Sequence, residues 1–275
     1  MTDSPVRVRL DVAYDGTDFS GWAIQPDRRT VAGELLAALA ALFGHDVTGL
    51  TVAGRTDAGV HAIGQVCHVD IAPQAWQPLR EQVLVRLAGL LPPDVRVTAV
   101  TEVTPEFDAR FSALSRRYVY RVSDAPYGVH PLRRRDTLAW RWPLDLDRLN
   151  EASARLLGEH DFAAYCRRKP NATTVRTLLR LDWRRDADGV LSATVEADAF
   201  CHSMVRSLIG ALLAVGDGRR PPEWPASLLT RRERANEVWV APAHGLTLVA
   251  VEYPEPSQWA SRAAATRRRR TLPEG

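Results

Sequence analysis

Lysine is almost absent from this chain: Lys169 is the only one among 36 basic side chains. A high-GC genome produces that bias without any function, yet arginine is also the better residue for bidentate phosphate contacts and for stacking on bases. Cysteine is scarce too. Cys67, Cys166 and Cys201 are odd in number, far apart and form no Cys-x-x-Cys. That spacing argues against a disulfide framework and a thiolate zinc site, and makes reduced thiols in a cytoplasmic protein the simplest expectation. The most apolar run, Leu208 to Gly216, is too short to span a bilayer. The opening Met1-Thr-Asp-Ser-Pro-Val-Arg-Val-Arg lacks an apolar core, so no signal peptide is expected. There is no Gly-x-x-x-x-Gly-Lys-Ser/Thr, no Gly-x-Gly-x-x-Gly after the first strand and no His-Glu-x-x-His. The seven histidines are scattered; His61 and His68 flank a strand, but two histidines alone do not make a metal site. The expectation is a protein without metal, cofactor or membrane segment.

What remains is an ordinary globular composition over 275 residues, 45% hydrophobic and 25% charged, long enough for a core without staples. Net charge is +3, with a pI near 9.0. Val6, Val8, Leu10, Val12 and Tyr14 alternate with polar residues and predict a strand. Thr30 caps a helix carrying Leu35, Leu36, Leu39, Leu42 and Phe43, with Gly44 as its stop. Strands are expected over 47–53, 64–71 and 95–103, and a second helix over 74–91. The order is β-α-β-β-α-β. Further on, a strand around Tyr118, a helix over 145–157, strands over 175–185 and 190–197, a helix over 202–215 and a strand over 246–251 repeat that order with insertions. Two such split units predict an α+β protein of two halves with a cleft between them. The boundaries expected are 1–106, 107–254, and a disordered basic tail over 255–275.

One loop stands out, Ala53-Gly54-Arg55-Thr56-Asp57-Ala58-Gly59-Val60-His61-Ala62. Gly54 and Gly59 let the backbone turn tightly and approach a ligand. Asp57 sits between small residues that do not shield it. Arg55 beside it would favour the ionised carboxylate. The same residues are also good turn formers, so the loop alone leaves a structural and a catalytic role open.

Several motifs, in order, resemble the tRNA pseudouridine synthase A family. They are Tyr14-Asp-Gly-Thr-Asp-Phe-Ser-Gly-Trp22, the Ala53–Ala62 loop, Phe107-Asp-Ala-Arg-Phe-Ser-Ala113 running into Arg117-Tyr-Val-Tyr120, Gly158-Glu-His-Asp-Phe162, Thr174-Val-Arg-Thr177, Phe200-Cys-His-Ser-Met-Val-Arg206 and Ala241-Pro-Ala-His-Gly-Leu246. The Asp57 block is the most specific of them, and together they cover residues 6 to about 253. The resemblance implies a pseudouridine synthase fold, with two ferredoxin-like-derived halves flanking a basic central cleft. It implies a homodimer acting on the tRNA anticodon stem-loop at nucleotides 38, 39 and 40, without metal or cofactor. It further implies Asp57 as nucleophile, Arg55 as the residue that helps flip the target base, Tyr118 stacking on that base, Arg206 pairing with Asp57, and Leu246 packing against the base. Two positions depart from the family pattern: Asp108 replaces a histidine in the Phe-His-Ala-Arg run, and Ala23 replaces the glutamine of Gly-Trp-Gln. Both lie outside the catalytic loop and bear on substrate positioning.

Two other classes fit parts of the pattern. A non-catalytic RNA-binding protein has no need of Asp57, Arg55, Tyr118 and Arg206 together. A hydrolase with paired carboxylates needs a second carboxyl about 5–9.5 Å from Asp57, for which Asp15 and Asp70 are the options. Basic clusters at Arg116-Arg117, Arg133–Arg135, Arg167–Lys169, Arg219-Arg220 and Arg231-Arg232 collectively suit RNA. If the tail arginines Arg267–Arg270 each neutralise a phosphate in a single-strand mode, they contribute about −2.8 to the log–log salt slope of tRNA binding, about 50-fold in affinity between roughly 50 and 200 mM salt. Deleting residues 256–275 and repeating the salt titration checks this; an unchanged slope removes the tail from binding.

Overall fold

The structure is a computed structural model that describes residues 4–167 and 173–267. In chain order it begins with β1 (Val6–Tyr14), α1 (Val31–Phe43), β2 (Val47–Val52), β3 (His61–Ile71), α2 (Pro73–Trp76), α3 (Val83–Leu90) and β4 (Val95–Val103). There follow β5 (Ser115–Ser123), β6 (Leu138–Ala139), α4 (Leu146–Ala154), β7 (Gly158–Asp161), β8 (Val175–Arg185), β9 (Leu191–Ala197), α5 (Met204–Gly216) and α6 (Trp224–Ser227). β10 (Leu246–Glu252) and α7 (Trp259–Arg267) close the described chain. This is an α+β protein. Among the described residues no helix is long and apolar enough to cross a membrane, and no three His, Cys, Asp or Glu side chains gather as a metal site.

The chain divides into two compact units. The first takes residues 1–114 together with 248–268. Its strands run β4-β1-β3-β10, with β2 also on β3. β1 lies in the middle, antiparallel to both neighbours, with Val8 opposite Val69 and Leu10 opposite Val100. The alternation read from the sequence is the observed one: Val8, Leu10 and Val12 are buried. α1 starts where Thr30 Oγ1 accepts from Gly33 N at 3.3 Å, and buries Leu35 and Leu39.

The helix expected over 74–91 is broken into α2 and α3. Pro78 falls in the break: it has no N–H to donate to the helix, although Gln77 before it keeps helical geometry, with φ −54° and ψ −42°. The backbone instead turns, with Leu79 N and Arg80 N both bonding back to Trp76 O at 3.0 Å.

The C-terminal stretch also differs from expectation. Residues 256–267 are ordered, as a short 3₁₀ turn followed by α7. Trp259 is the anchor, buried with its ring 4.8 Å from that of Phe107. Ser112 Oγ donates to Trp259 O at 3.3 Å and Arg262 Nε to Ala113 O at 3.2 Å. A single tryptophan at the start of an Ala- and Arg-rich segment is too weak a periodic signal to be read as a helix. The departure at Asp108 has a structural use here. Its Oδ1 accepts from Arg110 N and Phe111 N, both at 2.9 Å, and its Oδ2 pairs with Arg267 at 2.9 Å. The Phe107–Ala113 run therefore belongs to the first unit and not to the second, as does β10 from Leu248 onward. Residues 268–275, with the rest of the arginine run, lie outside the described residues. A truncation after Arg267 is accordingly the cleaner variant for the salt titration, since it leaves α7 in place; it removes three of the four arginines, so the expected contribution to the slope becomes about −2.1.

The second unit takes residues 115–247. Its strands run β5-β9-β8-β7, with the short β6 parallel to β5. The β8–β9 hairpin turns at Asp186–Gly189, as the sequence predicts, with Asp186 N on Val190 O at 2.8 Å. Asp145 Oδ1 caps α4 by accepting from Arg148 N at 3.0 Å. β6 and β7 are additions to the expected pattern. Cys166 and Cys201 form a disulfide with a Cα–Cα distance of 5.7 Å. This overturns the expectation of reduced thiols; the partners are separated by 35 residues and meet only because the hairpin between them folds back. Cys67 is free and buried, and burial pushes its thiol pKa up.

Trp259→Ala removes a buried indole and is expected to lower unfolding stability by about 3 kcal/mol, read by urea denaturation. A segment without fixed structure would leave the midpoint unmoved.

Candidate active site

Asp57 sits in the loop joining β2 to β3. Three pieces of the first unit hold that loop. β1 supplies Tyr14, whose hydroxyl shares a 2.7 Å hydrogen bond with Thr56 Oγ1. β3 supplies Gln65, whose Nε2 donates both to the Tyr14 hydroxyl at 3.2 Å and to Gly54 O at 2.9 Å. The segment after β1 supplies Trp22, whose N–H bonds Thr56 O at 3.1 Å. Gly21 makes that approach feasible. It has φ +95°, and a Cβ there would lie 2.8 Å from Thr56 O and 3.1 Å from Ala58 N. Tyr14 is fully enclosed, and burial pushes its pKa up to about 12 against the smaller opposing effect of the Thr56 and Gln65 bonds. It is therefore a neutral hydroxyl at physiological pH, with a proton to share.

The result is a loop whose backbone is held at several points. Thr56 is buried, Asp57 is half-buried, and Arg55 and Ala58 are exposed. Asp57 O also accepts from Val60 N at 3.2 Å, closing the turn through Gly59 at φ +78°. Gly54 behaves differently from expectation: it lies outside the left-handed region, and a Cβ on it would meet nothing within 4 Å. The Arg55–Asp57 pair is also absent. Arg55 is exposed and makes no ion pair or hydrogen bond among the described residues.

Of the two carboxylates that a hydrolase would recruit, Asp70 is fully engaged, with Arg7 Nε and Nη2 on its two oxygens at 2.8 Å each. Asp15 lies 3.2 Å from His61 Nδ1 and accepts from Thr17 N at 3.0 Å.

The second unit carries the other expected residues. Tyr118 is buried on β5, opposite Val195 of β9, with its ring edge-to-face to Phe200 at 5.3 Å. Arg206 is half-buried in the first turn of α5. Its Nε donates to Ala241 O at 2.7 Å, and its carbonyl accepts from Ala241 N at 3.0 Å. One turn further, Gly210 lets the chain at Trp239 lie against the helix; a Cβ there would sit 1.7 Å from Trp239 O. The same segment is fixed at its other end by Tyr120, whose hydroxyl donates to Pro242 O at 2.8 Å. Leu246 is buried where this segment enters β10. The Phe200–Arg206 and Ala241–Leu246 motifs are thus two sides of one contact.

Sequence reasoning missed Gln65. It is completely buried on β3, and its signal was a large amide at a position where the strand pattern calls for an apolar side chain.

Tyr14→Phe leaves buried partners on Thr56 and Gln65 unsatisfied and is expected to cost about 1–3 kcal/mol. Denaturant titration measures the loss, and faster hydrogen exchange at Trp22 N–H and Val60 N–H locates it in the loop.

Comparison with known proteins places this arrangement. A family model described as tRNA pseudouridine synthase matches residues 152–254. The chain is 59% identical over 273 residues to tRNA pseudouridine synthase A of Frankia casuarinae, covering 99% of this chain and 98% of the relative. It is 58% identical to tRNA pseudouridine synthase A of Streptomyces griseus, covering 98% and 95%, and 52% identical to that of Mycobacterium leprae, covering 95% and 94%. Among solved structures, an H/ACA RNP bound to a substrate RNA containing 2'-deoxyuridine is similar over 75% of this chain and 44% of that one, with 13% identity and a TM-score of 0.34, too slight a likeness to bear on the site. With near-complete coverage by relatives of one name, the chain belongs to the tRNA pseudouridine synthase A family.

Proposed function

We propose that this protein isomerises uridine to pseudouridine in tRNA, at positions 38, 39 and 40 of the anticodon stem-loop, with Asp57 as nucleophile. Family membership makes it a tRNA-modifying isomerase; the stem-loop site and the residue roles are our reading. The observation that carries the reading is Asp57 itself, a carboxylate on a loop fixed by Tyr14, Gln65 and Gly21 and flanked by exposed Arg55 and Ala58.

The reaction breaks the N1–C1′ bond, rotates the uracil and rejoins it through C5, which then loses its hydrogen. A carboxylate splits this into easier steps through a covalent intermediate. The target base must first leave the stack, at a cost of a few kcal/mol. Arg55 suits the task of filling the gap: it is exposed and breaks no ion pair to enter the duplex. Tyr118 offers a ring for stacking, worth about 1–3 kcal/mol per base. Leu246 gives an apolar contact to the base, and Arg206 pairs with Asp57. The working form in this reading is a cytoplasmic homodimer in which one tRNA touches both subunits, and no metal or cofactor takes part.

Asp57→Asn tests the proposal on an unmodified anticodon stem-loop transcript carrying tritium at uridine C5. Wild type is expected to release tritium. The variant is expected to bind with similar affinity in a gel shift and to release it more than about a thousandfold more slowly, the scale on which removal of a nucleophile acts. Tight binding by both proteins with no release by either, across several tRNAs, would replace catalysis by a binding role.

A further inference from the structure

The second unit carries an aromatic cluster that the proposed reaction does not use. Trp140, just after β6, is half-buried and held by its backbone N–H on Ser123 O at 2.8 Å. Trp142 packs against it at 5.6 Å between ring centroids and Trp239 does the same at 5.6 Å from another part of the chain. Both outer indoles are open to solvent, Trp142 at 41% and Trp239 at 47%. Arginines surround them. Arg141 lies 4.4 Å from the Trp142 ring centroid, and Arg219 lies 5.5 Å from that of Trp142 and 5.6 Å from that of Trp140. Arg220 stacks on neighbouring Trp224 at 4.7 Å.

The cluster is rigidly built. Trp239 is seated by the close approach of its carbonyl to Gly210 of α5. Arg219 is aimed by Asp217, whose two oxygens accept from its Nε at 3.0 and 2.9 Å. Glu237, near Trp239, is paired with Arg231 at 2.6 Å. Arg141 and Arg220 have no carboxylate within ion-pair distance among the described residues. The patch therefore presents two part-exposed indoles and a surplus of positive charge.

We propose that Trp142 and Trp239, with Arg141 and Arg219, form a second RNA-binding site that takes an unpaired nucleotide, its base stacked on an indole and its phosphate on the guanidinium groups. Base–aromatic stacking tolerates any base, because each has a π-face, and unstacked bases exist only in loops, bulges and ends. Charge separates this occupant from a second copy of the chain. An isologous contact brings the same residues face to face, here Arg141, Arg219 and Arg220 against themselves, and like charges across an interface oppose it. Gly210, against which the Trp239 carbonyl lies, is one helical turn along α5 from Arg206, about 6 Å by helix rise. It rests on the reading of this protein as a tRNA-binding enzyme and extends that reading to a contact outside the target base.

The test compares wild type, Trp142→Ala/Trp239→Ala and Trp142→Phe/Trp239→Phe for binding to an unmodified tRNA transcript, to a single-stranded oligouridylate and to a blunt RNA duplex. Loss of stacking is expected to raise Kd for the tRNA and the oligouridylate by about 5- to 150-fold, the range of one stacked base. The duplex Kd and kcat at saturating tRNA stay unchanged, while KM rises with Kd. The phenylalanine variant keeps most of the affinity, which separates stacking from misfolding. Arg141→Ala is expected to reduce the magnitude of the salt slope by about 0.7. Unchanged tRNA and oligouridylate affinity in the alanine variant, with tritium release intact, overturns the site and leaves the enzyme reading standing. A shift to a slower-sedimenting species with RNA binding per subunit unaltered overturns it in favour of a subunit contact.

Discussion

The candidate site depends first on one hydrogen-bonded triangle, the Tyr14 hydroxyl, Thr56 Oγ1 and Gln65 Nε2. A carboxylate near the surface is common, and one held still is not. Each corner comes from a different segment: the end of β1, the loop itself and the middle of β3. The antiparallel register brings Tyr14 opposite Ala62, so the same ladder that builds the sheet aligns the triangle. A one-residue slip would send Tyr14 to the other face of the sheet and release the loop. Buried polar groups of this kind stabilise only when all are satisfied, and here the amide, both hydroxyls and the Gly54 carbonyl are all engaged.

In the second unit the equivalent device is close backbone packing. Arg206 and Leu246 are placed by a segment that lies against α5 at Gly210 and against β5 at Gly245, where a Cβ would sit 2.6 Å from the Tyr120 ring. Side chains could not reach this spacing without pushing the segment off the helix. Arg206 then has its guanidinium oriented by a carbonyl, Ala241 O, that belongs to the same segment as Leu246.

Much of this was legible in the sequence, and the reasons are specific. β1 alternates cleanly, and Thr30 and Gly44 are strong punctuation, so the first β-α-β-β-α-β order emerges from local pattern alone. Asp57 stood out because of its small neighbours. Its lack of a pair with Arg55 did not, because sequence proximity in an irregular loop does not fix where a side chain points. Pro78 was a local signal passed over in favour of apolar spacing. The disulfide, the docking of α7 on Phe107 and the membership of β10 in the first unit are long-range facts; nothing in the local chemistry of Cys166, Trp259 or Leu248 names a partner. Asp108 shows the same limit from the other side, since a departure from the family pattern finds its use in Arg267, far along the chain.

The first unit is discontinuous, and this orders events during synthesis. Strand β3 and the Phe107–Ala113 run are made early, while β10 and Trp259 emerge from the ribosome last. All of residues 115–247 must be translated before the half that carries Asp57 receives its final strand. The second unit has its whole chain by then and is free to fold on its own. A nascent or prematurely ended polypeptide would hold the Asp57 loop on a sheet whose β3 lacks β10.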